Sequence, residues 1–399
     1  MQKLIEKEIK YCANIYKSLP VVINKGRGVY VHDVNGKKYF DYISGYSAVN
    51  HGHCHPRLVN VIKEQVDKLT ITSRAFYNEN LCNFSEHICK YFGYDKVIPM
   101  NTGVEGGETA IKIARRWGYE NKGIHPDKSI ILFCKNNFWG RTISACSSSN
   151  DPDVYKNFGP YTPGFDLINY NDIDELELYF EMYPNVAAFM IEPIQGEAGV
   201  IVPDEHYLKR VRHLCSRYNV LLIADEIQTG LGRTGSILET ESCGIRPDIL
   251  ILGKSLSGGF MPISAVLAND NVMKHMNYGS HGSTYGGNPL ACALATEALN
   301  IIKDEKLVKN SDKMGFYFRE VLKSYTYLFI KEIRGKGLMN AIEFFKEEDA
   351  NRVSNMLLEK GLICKITHGK TIRFLPPLTI NNSEMNQSLE LIKNVLHNI

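Results

Sequence analysis

The sequence predicts an α/β fold, with a large domain on a mostly parallel central sheet and a smaller α+β domain built from both termini. Three observations lead to this prediction. Short, almost wholly apolar segments in the middle of the chain end in polar residues or glycine, which is typical of strands buried on both faces of a parallel sheet. Segments with helical periodicity alternate with them, as in α/β proteins. The two ends of the chain lack this alternation.

The large domain is predicted to span residues 45–304. In the segment Glu105–Gly118, Ala110, Ile113, Ala114 and Trp117 recur on one face, which predicts a helix. Asn288 and Pro289 resemble a helix cap and first helical residue, and the apolar pattern continues through Ala291–Ile302. Ligands of such sheets bind at the carboxyl ends of the strands. The predicted strands are Lys96–Met100, Ser129–Cys134, Ala187–Pro193, Val220–Ala224, Asp248–Leu252 and Pro262–Ala268.

The smaller domain is predicted to combine residues 1–44 with residues 305–399. Glycines and an Asn-Gly pair between β-rich segments over residues 20–42 predict a hairpin-like unit. After a charged helix, short strands are predicted around Leu338–Phe345 and Thr371–Phe374, with a helix over Glu347–Lys360 between them and a last helix after Asn382.

Composition excludes several classes of protein. With 399 residues, 44% of them hydrophobic, the chain is long enough for about two domains with substantial cores. The net charge of +2 gives no electrostatic signature of nucleic-acid binding, and no apolar segment is long enough to cross a bilayer. Ten scattered cysteines without CxxC pairs do not predict disulfides. Two glutamates among the first ten residues argue against a transit peptide, so we expect a cytoplasmic protein.

Three short motifs resemble binding sites but are better explained as turns. Gly230–Gly235 fits G-x-G-x-x-G, yet it begins six residues after the predicted strand ends and no amphipathic helix follows it. Gly253–Ser255 resembles the end of a P-loop, but Asp248 stands where that motif needs glycine. Residues His51–His55 contain three histidines and a cysteine without a second ligand segment, which favours a polar turn before a helix near Pro56 over a metal site.

Three other features fit one cofactor when they are taken together. The glycine-rich turn Met100–Glu108 opens a helix and could bind phosphate through backbone N–H groups. Asp225 lies at the end of a predicted buried strand, and Lys254 follows the next strand, 29 residues later. Each alone has an ordinary explanation, as a structural turn, a carboxylate that caps a turn or a solvated charge. Pyridoxal 5′-phosphate requires all three: a lysine for its aldehyde, a carboxylate for its ring nitrogen and donors for its phosphate.

Over nearly its whole length the sequence resembles the class III aminotransferases, which are fold-type I enzymes dependent on pyridoxal phosphate. No single segment carries the resemblance, but the joint set is specific. The matching segments are Asp41–Asn50, Thr72–Tyr77, Asn101–Glu108, Asn137–Thr142, Ile191–Glu197, Ala224–Gly235, Gly253–Gly259, Gly282–Pro289 and Ile372–Pro377.

The resemblance implies roles for the residues that would hold the cofactor. Lys254 would form the Schiff base and carry the proton between substrate carbon and cofactor, and Asp225 would pair with the ring nitrogen. The remaining expected contacts are Gln228 near the ring hydroxyl, Phe138 on the ring face, Gly103 and Val104 at the phosphate, and Ser283 and Thr284 reaching the phosphate from the neighbouring subunit of a homodimer with shared active sites.

Within the class, the resemblance is to enzymes that move the δ-amino group of ornithine to 2-oxoglutarate, giving glutamate 5-semialdehyde and glutamate. It implies that Arg141 and Tyr16 take the α-carboxylate of ornithine, and that Tyr46 lies near its α-amine. Arg373 would bind 2-oxoglutarate, and Glu197 would mask Arg373 while ornithine is bound. No metal is expected.

Two alternatives stay open at this stage. A sister enzyme acting on N-acetylornithine or 4-aminobutyrate would share most of these residues, and Tyr46 and Tyr16 are the features that discriminate between them. From another class, a non-catalytic Rossmann-like nucleotide-binding protein remains a rival. One departure from the wider class is Gly106-Gly107, where alanine is common, and glycine there is expected to weaken the helix start by up to ~1 kcal/mol.

Overall fold

The structure is a computed structural model that describes all residues, Met1–Ile399. The helices are α1 (Gln2–Tyr11), α2 (Ser44–Ser47), α3 (Pro56–Val66), α4 (Glu79–Phe92), α5 (Gly103–Glu120), α6 (Ile143–Ser147), α7 (Pro152–Tyr155), α8 (Ile173–Met182), α9 (Tyr207–Arg217), α10 (Glu239–Ser242), α11 (Asp270–Met273), α12 (Pro289–Asp304), α13 (Leu307–Lys323), α14 (Glu347–Lys360) and α15 (Asn382–Leu396). A 3-10 turn covers Lys254–Ser257.

The strands form three sheets. They are β1 (Ile23–Arg27), β2 (Tyr30–Asp33), β3 (Lys38–Asp41), β4 (Lys96–Met100), β5 (Ile130–Cys134), β6 (Phe165–Ile168), β7 (Val186–Ile191), β8 (Leu221–Asp225), β9 (Ile249–Leu252), β10 (Ser264–Ala268), β11 (Ile330–Lys336), β12 (Met339–Phe344), β13 (Leu362–Ile363), β14 (Lys365–Thr367) and β15 (Thr371–Phe374).

The central sheet has seven strands in the order β4-β10-β9-β8-β7-β5-β6. Strands β5 to β9 are parallel, and only β10 runs antiparallel, between β9 and β4. Every residue of β7, β8 and β9 is buried, because helices cover both faces. The predicted mostly parallel sheet is therefore confirmed. The edge strand β6 was missed, because it is buried only at Ile168 and lacks a continuous apolar signal.

Both termini contribute to the smaller part of the molecule, as predicted. Strand β13, from the C-terminal part, pairs in parallel with β3 and completes the sheet β1-β2-β3-β13. The third sheet, β11-β12-β15-β14, is antiparallel and packs against α13 and α14. The boundaries of the three predicted segments, 1–44, 45–304 and 305–399, stay a prediction.

The Gly230–Gly235 loop joins the two parts of the molecule. Its Arg233 is completely buried and donates through Nη1 to the carbonyls of Leu338 (2.9 Å) and Pro376 (2.6 Å). The same guanidinium donates through Nη2 to Asn50 Oδ1. Only the four-residue helix α10 follows this loop, so the G-x-G-x-x-G match lacks the helix that a nucleotide-binding site needs. The loop instead connects the two parts of the molecule.

The histidines of the predicted polar turn contact separate partners. His51 Nε2 lies 2.9 Å from the carbonyl of Ala298, His53 contacts Asp41, and His55 contacts Glu305. Helix α3 begins at Pro56, as predicted. All ten cysteines are free thiols. No helix combines the length and apolar character that a bilayer crossing requires.

Candidate active site

A cavity of about 240 Å³ opens at the carboxyl ends of β7, β8 and β9. The parallel register pairs Asp225 with Ile251, so the polar residues that follow these strands meet at one edge of the sheet. Its lining combines three charged side chains from the ends of these strands with the start of α5 and an aromatic loop: Gly103, Val104, Phe138, Trp139, Gly140, Glu192, Ile194, Glu197, Asp225, Ile227, Gln228, Thr229 and Lys254.

Asp225 is the last residue of β8 and is 5% exposed. One carboxylate oxygen, Oδ1, accepts the backbone N–H of Ile227 at 3.0 Å, and Oδ2 has no partner within the chain. Burial raises the pKa of Asp225 to about 6, although that N–H group and the positive charge of Lys254 act in the opposite direction. A cationic N–H donor in the cavity would satisfy Oδ2 and stabilise the ionised carboxylate.

Lys254 follows β9 and begins the 3-10 turn with φ +44°, a left-handed conformation that is uncommon for lysine. Its amine makes no hydrogen bond within the chain. Desolvation lowers the pKa of Lys254, opposed by the carboxylates of Glu197, Asp225 and Glu192. A lysine with a lowered pKa has more of the neutral, nucleophilic amine at neutral pH, as covalent chemistry requires.

Helix α5 presents its first backbone N–H groups to the cavity. Thr102 caps it, and the Glu105 carboxylate accepts the N–H groups of Asn101 and Thr102 in a capping box. The N–H groups of Gly103 and Val104 have no partner within the chain, which leaves two donors and the positive end of the helix dipole for an anion.

The Gly106-Gly107 pair is required by packing. A Cβ at Gly107 would lie 2.5 Å from Trp139 Cε3, and one at Gly106 would lie 2.9 Å from Ile251 Cγ2. Both glycines are buried inside the capped first turns of α5. The two glycines weaken the intrinsic helix propensity, but they let α5 pack closely against Ile251 of β9 and against Trp139. This packing fixes the start of the helix.

Phe138 and Gln228 border the same cavity. The backbone N–H of Phe138 donates to Glu192 Oε1 at 2.9 Å, which fixes the loop that carries its ring. Gln228 Nε2 donates to the carbonyl of Tyr46 at 3.2 Å. Gly196 allows this side chain to approach, because a Cβ there would lie 1.6 Å from Gln228 Oε1.

Glu192 is a cavity residue that the sequence analysis did not assign. It follows β7 directly, as Asp225 ends β8, so the same strand-end rule would have found it. Its Oε2 accepts the N–H of Gly196 at 3.2 Å. Burial and the neighbouring Asp225 raise the pKa of Glu192 to about 8, against two backbone N–H donors and Lys254. Trp139, also unassigned, packs against Gly107 of α5 and stacks on Phe133 of β5.

Glu197 and Arg373 form a bidentate ion pair at the cavity wall. The distances are 2.8 Å from Nη1 to Oε1 and 2.9 Å from Nη2 to Oε2, and Arg373 is 2% exposed. Burial raises the pKa of Glu197, but Arg373, Lys254 and Gln228 outweigh it, so the pKa is lowered. The guanidinium also lies 5.8 Å from the ring of Tyr46.

Tyr46 lies in a left-handed turn in which Ser44 to Ser47 all have positive φ. Its hydroxyl has no hydrogen-bond partner within the chain, and burial and Glu197 raise its pKa, opposed by Arg373. Tyr16 is 74% exposed, and its charge is a further, smaller cause that raises the pKa of Tyr46.

Six predicted residues do not line the cavity: Tyr16, Tyr46 and Arg373, described above, and Arg141, Ser283 and Thr284. Arg141 is exposed, makes no ion pair, and lies with its guanidinium carbon 5.6 Å from the Phe138 ring. Ser283 accepts hydrogen bonds from Asn101 Nδ2 (3.0 Å) and the N–H of Gly286 (2.9 Å). Thr284 is exposed and does not reach the cavity of its own chain.

The residues present fit pyridoxal phosphate. Asp225 has a free oxygen for a ring N–H, Lys254 has an amine without a partner, and Gly103 and Val104 have free donors for a phosphate. Phe138 provides an aromatic wall between them. No group of histidine, cysteine, aspartate and glutamate side chains is arranged to hold a metal ion.

Comparisons with known proteins identify the family of this chain. Residues 11–396 match the family "Aminotransferase class-III". The chain is 55% identical to the mitochondrial ornithine aminotransferase of Drosophila melanogaster over 98% of this chain and 90% of that protein. A crystal structure of the Toxoplasma gondii ornithine aminotransferase superposes with a TM-score of 0.98 at 49% identity, covering 100% of this chain and 95% of that one. A further structure of that enzyme has partial occupancy of PLP at its active site. The acetylornithine aminotransferase of Elizabethkingia anophelis is also similar, with a TM-score of 0.91 at 45% identity, covering 100% of this chain and 99% of that one.

Proposed function

Because this chain belongs to the class III aminotransferases, which depend on pyridoxal phosphate, we propose that it transfers the δ-amino group of L-ornithine to 2-oxoglutarate. The products are glutamate 5-semialdehyde and glutamate. The observation that carries the proposal is one cavity that joins Asp225 and Lys254 to the Glu197–Arg373 ion pair. The first two residues serve any amine transfer, and the ion pair serves an enzyme that alternates between two differently charged substrates.

The bound cofactor supplies an aldehyde that accepts the amino group and a ring that withdraws electrons from the reacting carbon. With the cofactor bound, Lys254 Nζ, whose pKa is lowered, would take the proton from the substrate carbon and deliver it to the former aldehyde carbon of the cofactor, and would carry a proton the opposite way in the second half-reaction. Asp225 Oδ2 would accept the N–H of the ring nitrogen, while Oδ1 stays bound to the N–H of Ile227. Phe138 would hold the ring face, and the start of α5 would hold the phosphate.

Charge placement explains how one site takes both substrates. Ornithine must present its δ-amine to the cofactor, so its α-carboxylate lies far from Lys254, where Arg141 and Tyr16 are exposed to receive it. Tyr46 has a free hydroxyl for the α-amine. Glu197 neutralises Arg373 during this half-reaction. 2-Oxoglutarate carries a carboxylate next to its reacting carbon, and that carboxylate replaces Glu197 on Arg373.

The similarity to an acetylornithine aminotransferase supports a second candidate function, in which the substrate is N-acetylornithine. An acylated α-amine carries no charge and does not need a polar neighbour. The unpartnered hydroxyl of Tyr46 therefore favours the free amine of ornithine.

A homodimer completes the proposal. Ser283, the residue before Thr284, lines a surface groove of about 1140 Å³ together with the exposed aromatic side chains of Phe76, Tyr77 and Tyr278. A second copy seated there would bring Ser283 and Thr284 to the phosphate of its neighbour. Sedimentation of the purified protein tests this, and a monomer that retains activity would exclude shared sites.

The cytoplasmic location stays a prediction from the composition of the first ten residues; the Drosophila relative is named as mitochondrial.

A half-reaction assay tests the function. The purified protein should be yellow, lose its cofactor absorbance on addition of ornithine alone, and regain it with 2-oxoglutarate. N-acetylornithine and 4-aminobutyrate serve as competing amines. Faster bleaching with either of them than with ornithine would overturn the substrate assignment.

A further inference from the structure

Glu197 lies in a tight turn that has a strained backbone. Gln195 and Ile201 exchange backbone hydrogen bonds at the base of the turn, and the carbonyl of Gly196 accepts the N–H groups of Gly199 and Val200. Val200 has φ +58° and is completely buried. A β-branched residue at positive φ is strained and persists only where surrounding contacts enforce it.

The contacts that enforce this conformation come from the C-terminal part of the chain. Arg334 of β11 donates through Nε to the carbonyls of Gly199 and Val200, both at 3.1 Å, and through Nη2 to Gly199 at 2.8 Å. Thr367 of β14 donates its hydroxyl to the carbonyl of Glu197 at 2.6 Å. The turn is thus held from β11 and β14, while Arg373 on β15 binds the Glu197 side chain.

Arg334 is itself held in place. Its Nη1 pairs with Glu332 (2.8 Å) and Glu343 (2.5 Å), and the side chain is 10% exposed. Glu343 also pairs with Lys331 at 2.7 Å, so it keeps a cationic partner if Arg334 is changed. Arg334 does not line the cavity and contacts neither the cofactor residues nor Arg373. All its polar contacts are with the turn and the two glutamates.

We propose that Arg334 is a positioning residue that holds the Glu197 turn where Glu197 masks Arg373, and so sets the balance between ornithine and dicarboxylates. The inference rests on the proposed function only in naming the two substrates. When a dicarboxylate arrives, the Glu197 side chain moves away while Arg334 and Thr367 keep the backbone in place, and the mask then returns to the same position.

Loss of the Arg334 donors predicts a directional change in specificity. The carbonyls of Gly199 and Val200 lose three hydrogen bonds, the strain at Val200 relaxes by movement of the turn, and Glu197 covers Arg373 for a smaller share of the time. A ligand that needs Arg373 uncovered has an apparent Kd equal to its intrinsic Kd divided by the fraction of molecules in which Arg373 is uncovered. A larger uncovered fraction therefore strengthens its binding. Ornithine, which needs the mask, becomes a poorer substrate relative to glutamate, which reacts at its α-amine.

The experiment compares Arg334→Gln, Arg334→Lys and the control Lys331→Met in the holoenzyme. Lys331→Met removes an ion pair to the same Glu343 without touching the turn. Calorimetry with glutarate, a dicarboxylate that cannot react, measures access to Arg373, and the ratio of kcat/KM for ornithine to that for glutamate measures specificity. For Arg334→Gln we expect a glutarate Kd about 3- to 10-fold lower and a ratio lower by a similar factor.

The Lys variant keeps the pair with Glu343 but cannot place three N–H groups on two carbonyls, so an intermediate effect is expected. Thr367→Val removes the other donor to the turn and should change both readouts in the same direction, which keeps the test decisive if Arg334→Gln does not fold. Unchanged glutarate binding and ratio in all the turn variants, or equal changes in Lys331→Met, would overturn the proposal. A wild-type protein that binds glutarate but does not bleach with ornithine would instead overturn the proposed function, and the glutarate comparison would still decide the role of Arg334.

Discussion

Replacement of Glu192 by glutamine should make the cofactor-free protein less sensitive to rising pH. Burial and the charge of Asp225 raise the pKa of Glu192 from an ordinary 4.5 to about 8. A carboxyl whose pKa is higher in the folded than in the unfolded protein keeps its proton on folding between these two values. Its contribution to stability is complete at low pH and is lost as the pH rises through that range.

The magnitude follows from the two pKa values. Inside that range Glu192 is ionised in the unfolded chain and protonated in the folded protein, and each pH unit is then worth about 1.4 kcal/mol. The free energy of unfolding of the wild type therefore falls by about 3 kcal/mol between about pH 5.5 and about pH 8. Glu192→Gln lacks this loss. The variant keeps one carbonyl oxygen for the N–H of Phe138 or Gly196, and the lost second hydrogen bond costs about 1 kcal/mol at every pH.

Urea unfolding of both proteins at the two pH values provides the measurement. The stability of Glu192→Gln relative to the wild type should rise by about 3 kcal/mol between about pH 5.5 and about pH 8. Asp225 and Lys254 titrate in both proteins and cancel to first order. Glu348→Gln, on the exposed surface of α14, controls for removal of a carboxylate. A difference between wild type and Glu192→Gln that stays constant with pH would refute the reasoning.

Three further variants test the proposed roles. Lys254→Ala should fold and retain cofactor together with bound ornithine, with turnover reduced at least ~100-fold, and near-normal turnover would exclude Lys254 as the proton carrier. Tyr46→Ile should shift preference from ornithine toward 4-aminobutyrate, and an unchanged ratio of kcat/KM for the two amines would contradict the placement of the ornithine α-amine. Glu197→Gln leaves the buried Arg373 without a charged partner and should lower the free energy of unfolding by about 3 kcal/mol, most of which glutarate should restore. Equal melting temperatures of Glu197→Gln and the wild type without glutarate would show that the ion pair is not a stabilising one.

Local sequence patterns predicted the residues at the strand ends well. Asp225 and Lys254 could be placed together because parallel strands deliver their carboxyl ends to one edge, and the apolar segments before them are unambiguous. Glu192 obeys the same rule directly after β7, so the strand-end pattern is sufficient to place it at the same edge of the sheet.

Other parts of the site have no local signal. Glu197 and Arg373 are separated by 176 positions, and nothing in either neighbourhood marks them as partners. Their pairing was predicted from the family resemblance alone. The left-handed turn that carries Tyr46 and the strained Val200 are further cases, because tertiary contacts there outweigh the local preferences of the residues.

The Glu197 turn shows why these non-local features gather at the site. An enzyme that accepts a diamine and a dicarboxylate in turn needs a cation for the second that is neutralised for the first. A fixed buried ion pair would exclude the dicarboxylate, and a free buried guanidinium would be costly and would attract the wrong end of ornithine. A counter-charge on a movable side chain meets both needs only if its backbone does not move with it. Arg334 and Thr367 hold the strained turn at Val200, and together with Arg373 they lie on β11, β14 and β15, three strands of one four-stranded sheet. A change in the packing of that sheet against the central sheet is therefore expected to change the balance between the two substrates.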